Sequence, residues 1–287
     1  MIYTIKNEYL TAKIDGHGAE LVSLVDKDNI ERLHQKDDNT WNRTSPVLFP
    51  TISRFKDFTY KAKGQEYKMP MHGFFRDMDL SPTKLTNNEI EFSIKDDENT
   101  LKMYPYHFTF SVKYTIFRNK IIVSFNIKNT GKDMMYYMIG GHPGFNAPLY
   151  KGESYEDYYV KFQQNETSDA MQVVDGYLAS EFVRYLDKQD TIKLAHNLFI
   201  PDAIVLTNLK SSFVDLLSTK NDKKIRFHFK DFKILAIWSL NKEEADYVCF
   251  EPWNGIQHDF VIDIEKMGVF NLKPNKKAKY SYTIECF

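Results

Sequence analysis

Cysteine is scarce in this sequence: Cys249 and Cys286 are the only two in 287 residues, and neither belongs to a CxxC pair. That excludes a disulfide framework and a cysteine-built zinc site, and leaves two reduced core thiols in a cytoplasmic protein as the expectation. A charge excess of either sign is also missing. Lys and Arg number 38 against 39 Asp and Glu, a net charge of −1, whereas a phosphate-backbone-binding surface leaves a basic excess. The basic cluster KPNKKAK, residues 273–279, is broken by Pro274 and Asn275 and reads as a solvated turn. No nucleic-acid partner is therefore expected. No run reaches the roughly 18 apolar residues of a membrane helix. The opening MIYTIKNEYL has neither a basic n-region nor an apolar h-region, so neither a membrane span nor a secretory signal is expected.

Several sequence signatures of catalysis are also missing. None of the eight histidines falls in an HExxH or paired HxxxH pattern. There is no GxSxG elbow, no GxGxxG and no P-loop, so no metal and no cofactor is expected. Helical patterns are short, at most a turn or two at residues 153–158 and 242–246. No Pro/Gly/Ser linker or fixed-period repeat divides the chain, and residues 1–287 read as one domain.

What the sequence has in quantity is aromatic side chains, 15%, arranged with a period of two. In HFTFSVKYTIF, Phe108, Phe110, Val112, Tyr114 and Ile116 share one face and Thr109, Ser111, Lys113 and Thr115 the other. After Asn119-Lys120, Ile121, Val123, Phe125 and Ile127 repeat the alternation. Two such runs about a short polar break predict a β-hairpin with one buried face. The same signature recurs at residues 90–94, 225–229, 234–240 and 280–286, with turn clusters at 95–100 and 221–224. The expected fold is all-β, a large antiparallel β-sandwich.

Four stretches break the alternation and carry reactive side chains. SPVLFPTISRFKD, residues 45–57, supplies Arg54, and MPMHGFFRD, residues 69–77, supplies His72, Phe75 and Arg76. In IGGHPGFNAPL, residues 139–149, the apolar run 134–139 reads as a strand. It leaves through Gly140 and Gly141, which permit close approach of another strand or a ligand. His142 follows, either as a proton-transfer group near neutral pH or as a histidine hydrogen-bonded inside a turn. In VCFEPWNG, residues 248–255, Pro252 has no N–H for a ladder and is expected to stop the strand just after Glu251. A carboxylate at such a boundary is partly desolvated and suits a general base; a glutamate that simply leaves the core for solvent is the competing reading.

Taken in order, GAELVSL, LFPTISR, MHGFFRD, GGHPGFN and FEPWNG resemble the aldose 1-epimerase (galactose mutarotase-like) family, and within it the LacX-type subgroup. The resemblance runs from Gly18 to the C-terminus. It implies the galactose mutarotase-like supersandwich. His142 would be the general acid on the sugar ring oxygen and Glu251 the base on the anomeric hydroxyl. His72, Arg54 and Asp202, the last in PDAIVL, would bind substrate. Two departures stand out: Gly144 replaces the aromatic of the family's HPYFN, and FEPWNG replaces its LETQ or LEPQ. Arg54 and Arg76 also suit an anionic sugar such as a hexose phosphate, although an ion pair of Arg76 with Asp77 or Asp79 is the plainer account. Phe75 or Trp253 would stack on the sugar or pack in the core.

The expected function is thus cofactor-independent interconversion of the α and β anomers of a hexose, such as galactose, or of a hexose phosphate. A non-catalytic carbohydrate-binding or sensing protein on a mutarotase fold is the rival. A glycoside hydrolase, which needs two carboxylates about one bond, ranks third. A sugar or sugar phosphate is the expected partner, and a homodimer stays open.

Overall fold

The two central runs pair as their alternation requires. Phe108–Phe117 and Lys120–Asn129 form an antiparallel hairpin whose register matches Ile116 with Ile121 and Phe110 with Ile127. Their apolar faces are buried, and their polar faces are half-buried or exposed except at Ser111. The computed structural model describes residues 1–174, 177–256, 263–267 and 269–287.

This hairpin is part of a 15-stranded antiparallel sheet. From one edge its order is Val47–Leu48, Ile139–Gly141, Tyr247–Asn254, Ile234–Trp238, Ile204–Thr207 and Tyr158–Val174. It continues with Phe213–Ser218, Lys224–His228, Lys277–Cys286, the central hairpin, Glu89–Lys95 and Lys84–Leu85. Two strands lie off this path: Gly144–Asn146 pairs with Tyr247–Asn254, and Tyr177–Lys193 pairs with Tyr158–Val174. A separate three-stranded sheet comprises Ile2–Lys6, Leu10–Asp15 and Glu20–Asp26.

The large sheet folds back on itself as a β-sandwich, because strands distant in its order touch. The Phe145 ring lies 6.0 Å from Phe227, and Phe49 stacks on Phe110 at 4.2 Å. A Cβ on Gly141 would come within 2.6 Å of the Tyr282 ring from the far side of the sandwich. Both cysteines are free and buried in this core. Among the described residues, no helix is long and apolar enough to cross a membrane.

Three local expectations differ from the structure. Residues 98–103 form an α-helix, Glu98–Met103, where a turn cluster was expected. Asp97 caps it by accepting from the Asn99 and Thr100 N–H groups, and the Thr100 hydroxyl returns a bond to the cap. The run 134–139 splits into Met135–Tyr137 and Ile139–Gly141, because the Met138 N–H leaves the ladder and donates to the Pro50 carbonyl at 2.8 Å.

Pro252 does not end its strand, which runs through to Asn254. The Phe250 N–H donates to the Pro143 carbonyl, and period-two alternation turns the Pro252 nitrogen toward the same edge. By register Pro252 faces Gly141, in the stretch between the Gly140–Trp253 and Gly144–Cys249 pairs where the ladder is interrupted, so the missing donor falls in that gap.

Candidate active site

That interruption builds the site. Gly140 pairs with Trp253 and Gly144 with Cys249, so the register brings His142 opposite Glu251. Opposed residues of antiparallel strands point to the same face. Imidazole Nε2 lies 3.1 Å from carboxylate Oε2, both side chains almost wholly buried. The contact is at ion-pair distance but is not aligned as a hydrogen bond, and Glu251 Oε2 and His142 Nδ1 have no hydrogen-bond partner among the described residues. Both groups therefore keep hydrogen-bonding capacity for a ligand.

Burial drives the Glu251 carboxyl well above its ordinary range; the negative Asp202 adds to the rise, and the Trp253 indole opposes it. Burial also brings His142 down to about 3. Its own backbone carbonyl opposes the shift, and the Arg76 guanidinium reinforces it. Both shifts favour the uncharged pair over the ion pair. Such a pair contains one acid and one base in either tautomer.

His72 stands edge-on to His142, with ring centroids 5.8 Å apart. The turn holding it is tight. His72 has φ of +64°, its N–H donates to the Ser53 carbonyl, and its Nδ1 accepts from the Ser53 N–H at 3.2 Å. With Nδ1 an acceptor, neutral imidazole carries its proton on Nε2 as a donor. Gly73, at φ +79°, is required here, because a Cβ would come within 2.2 Å of the Phe49 carbonyl oxygen. Burial holds His72 well below its ordinary value, with His142 and Arg76 adding to the effect.

His142, Glu251, His72, Arg54, Arg76, Asp202 and Trp253 all line one cleft of about 340 Å³, at the lower end of the size range of small-molecule sites. Arg54 lies over the Tyr177 ring at 4.8 Å. Arg76 Nε is buried without a hydrogen bond among the described residues, the Asp77 carboxylate lying 3.8 Å away. Asp79 pairs with His17 instead. Asp202 stands just ahead of the strand Ile204–Thr207.

Phe75 lies elsewhere. It is fully buried and packs edge-on against Phe110 at 4.8 Å. The short 3₁₀ turn Phe75–Asp77 sends Phe75 into the core and leaves Arg76 at the cleft. Gly140 and Gly141 do not line the cleft either. A Cβ on Gly140 would meet the Pro252 carbonyl at 2.7 Å and one on Gly141 the Tyr282 ring, so their smallness serves strand packing.

Among the lining residues that escaped the sequence reading are two aromatics, Trp41 and Trp238. All three tryptophans of the chain border this one cleft. Trp41 sits in the polar stretch DDNTWNRTS, and an aromatic isolated among turn residues was the available signal. Aromatic faces beside neutral and charged donors suit a sugar, whose C–H faces stack and whose hydroxyls hydrogen-bond. Among the described residues no group of three His, Cys, Asp or Glu side chains is placed to hold a metal ion.

The sequence model of the aldose 1-epimerase family matches residues 1–285. This chain belongs to the aldose 1-epimerase family. Membership makes it an isomerase, of the sugar epimerase and mutarotase class. Two curated relatives, the chromosomal and plasmid LacX proteins of Lactococcus lactis subsp. lactis, are each 34% identical over 99% of both chains. The crystal structure of a galactose mutarotase related enzyme from Lactobacillus acidophilus superposes with a TM-score of 0.95 at 32% identity, covering 100% of this chain and 97% of that one. A galactose mutarotase-like protein from Lactobacillus casei ATCC 334 gives 0.92 at 26% identity, with both chains fully covered. The fold of this epimerase-family chain is accordingly galactose mutarotase-like.

Proposed function

We propose that this protein interconverts the α and β anomers of a hexose or hexose phosphate by general acid and base catalysis at His142 and Glu251. The observation that carries the reading is the 3.1 Å approach of Nε2 and Oε2 in a buried, tryptophan-walled cleft. The proton first passes from the Glu251 carboxyl to His142 Nε2; Glu251 then removes the proton from the anomeric hydroxyl while protonated His142 donates to the ring oxygen. The C1–ring-oxygen bond breaks and C1 becomes a carbonyl. Rotation about C1–C2 presents the other carbonyl face, and the two groups reverse roles to close the ring.

After ring opening the proton rests on Glu251 and His142 is neutral. That is the uncharged arrangement that burial favours, so ring opening returns the pair to its resting protonation. His72 Nε2–H and Asp202 fix hydroxyls. Arg54 and Arg76 supply the two cations that a phosphate group would engage. The two free, buried thiols fit a reducing cytoplasm.

Polarimetry of freshly dissolved α-glucose, α-galactose and hexose phosphates tests the proposal. Glu251→Gln should lower the catalysed rate by roughly a hundredfold or more. Wild-type protein that accelerates none of these sugars would overturn it.

A further inference from the structure

His142 is enclosed on several sides. His72 meets it edge-on at 5.8 Å and Trp238 edge-on at 5.6 Å, but Trp41 alone lies along its face, with centroids 4.8 Å apart and planes 29° from parallel. Behind Trp41 the stack continues to His34 and Tyr247, each with its ring centroid 5.6 Å away.

The loop carrying Trp41 is anchored to the segment it covers. The His34 N–H donates to the Gly144 carbonyl and the Gly144 N–H donates to the Thr44 carbonyl, each at 2.9 Å. One glycine thus joins both ends of the loop. Within it, the Trp41 carbonyl accepts from the Asp37 N–H at 3.1 Å and from His34 Nε2–H at 3.0 Å. Position 144 must also stay bare, because a Cβ there would lie 2.8 Å from Trp41 Cζ3. Trp41 and Gly144 are therefore a fitted pair two residues from the reacting histidine.

We propose that Trp41 is a positioning residue for His142: its indole, seated over Gly144, fixes the imidazole plane so that Nε2 faces Glu251. This rests on reading His142 and Glu251 as the proton-transferring pair. A slightly misaligned acid slows the chemical step more than it weakens binding, so the effect falls on kcat. The indole face also attracts the imidazolium form through its quadrupole.

The test uses Trp41→Leu, Trp41→Phe and Gly144→Ala in the full-length protein, with anomerisation kinetics and histidine-selective ¹⁵N NMR as readouts. The His142 resonances are assigned by their loss in His142→Asn. Trp41→Leu should lower kcat roughly ten- to a hundredfold while KM stays within about threefold, and should move the His142 resonances. Trp41→Phe should restore most of kcat and keep the resonances near their wild-type positions. Gly144→Ala, which pushes the indole from its seat, should lower kcat alone but add little in a Trp41→Leu background.

A folded Trp41→Leu protein with wild-type kcat and unmoved resonances would overturn the proposal, as would an effect on KM alone. If Trp41→Leu does not fold, Gly144→Ala decides, and unchanged kcat and resonances there would overturn it. If no sugar is turned over, the proposed function fails, and the resonances still decide whether Trp41 sets the ring.

Discussion

Replacing His142 by asparagine isolates the effect of burying its imidazole. The ordinary histidine value is 6.5, and burial brings this one to about 3. Between those values the unfolded chain binds a proton there and the folded protein does not. Stability from this residue is therefore fully present above about pH 6.5 and falls as pH drops through the window. At about 1.36 kcal/mol per pH unit, going from pH 7 to pH 4 removes about 3 kcal/mol through His142 alone. Asparagine takes up no proton, so His142→Asn should escape that loss, while every other titrating group remains in both proteins. Urea unfolding at pH 7 and pH 4, followed by tryptophan fluorescence and far-UV circular dichroism, measures it. Wild type should lose about 3 kcal/mol more than the variant. Equal losses would show that His142 titrates normally in the fold and would refute the neutral buried pair.

Glu251 predicts the opposite sign. Its folded value is raised, so its contribution is present below the ordinary 4.5 and is lost as pH rises. Glu251→Gln should thus raise the melting temperature by an increment that grows from pH 4.5 upward, and a pH-independent increment would contradict this. Arg76→Ala should raise KM for a hexose phosphate by roughly tenfold or more while moving KM for the free sugar little. Equal changes for both would assign Arg76 to the sugar ring or to the fold. Gly73→Ala forces a side chain into φ +79° and against the Phe49 carbonyl. It should destabilise by about 2–4 kcal/mol in denaturant unfolding and disturb His72, and an unchanged midpoint would contradict the steric account.

The sheet was legible because its strands alternate cleanly: the hairpin of residues 108–129 shows its inward and outward faces residue by residue. The helix after Asp97 was less legible, since a polar stretch announces a turn and a short capped helix in the same letters. Pro252 misled for a specific reason. A proline halts a strand only where its edge needs a donor, and Pro252 falls in the gap between two short ladders formed with the segment around His142. The same break places His142 opposite Glu251, yet nothing local to either stretch reveals their shared register. Family resemblance linked them where local sequence left each ambiguous. Phe75 and Arg76 show the limit of motif reading, since neighbours in one motif point to opposite sides of a turn. Trp41 went unnoticed because its partners, His34, Gly144 and Tyr247, are gathered only by folding.

Exchange of magnetisation between the α and β anomeric protons, followed by NMR on an equilibrium sugar solution, measures ring opening without consuming substrate. With catalytic amounts of wild-type protein the exchange should accelerate for at least one hexose or hexose phosphate, and it should fall toward the uncatalysed rate with either His142→Asn or Glu251→Gln. Acceleration that survives both substitutions would contradict the assignment of ring opening to this buried pair.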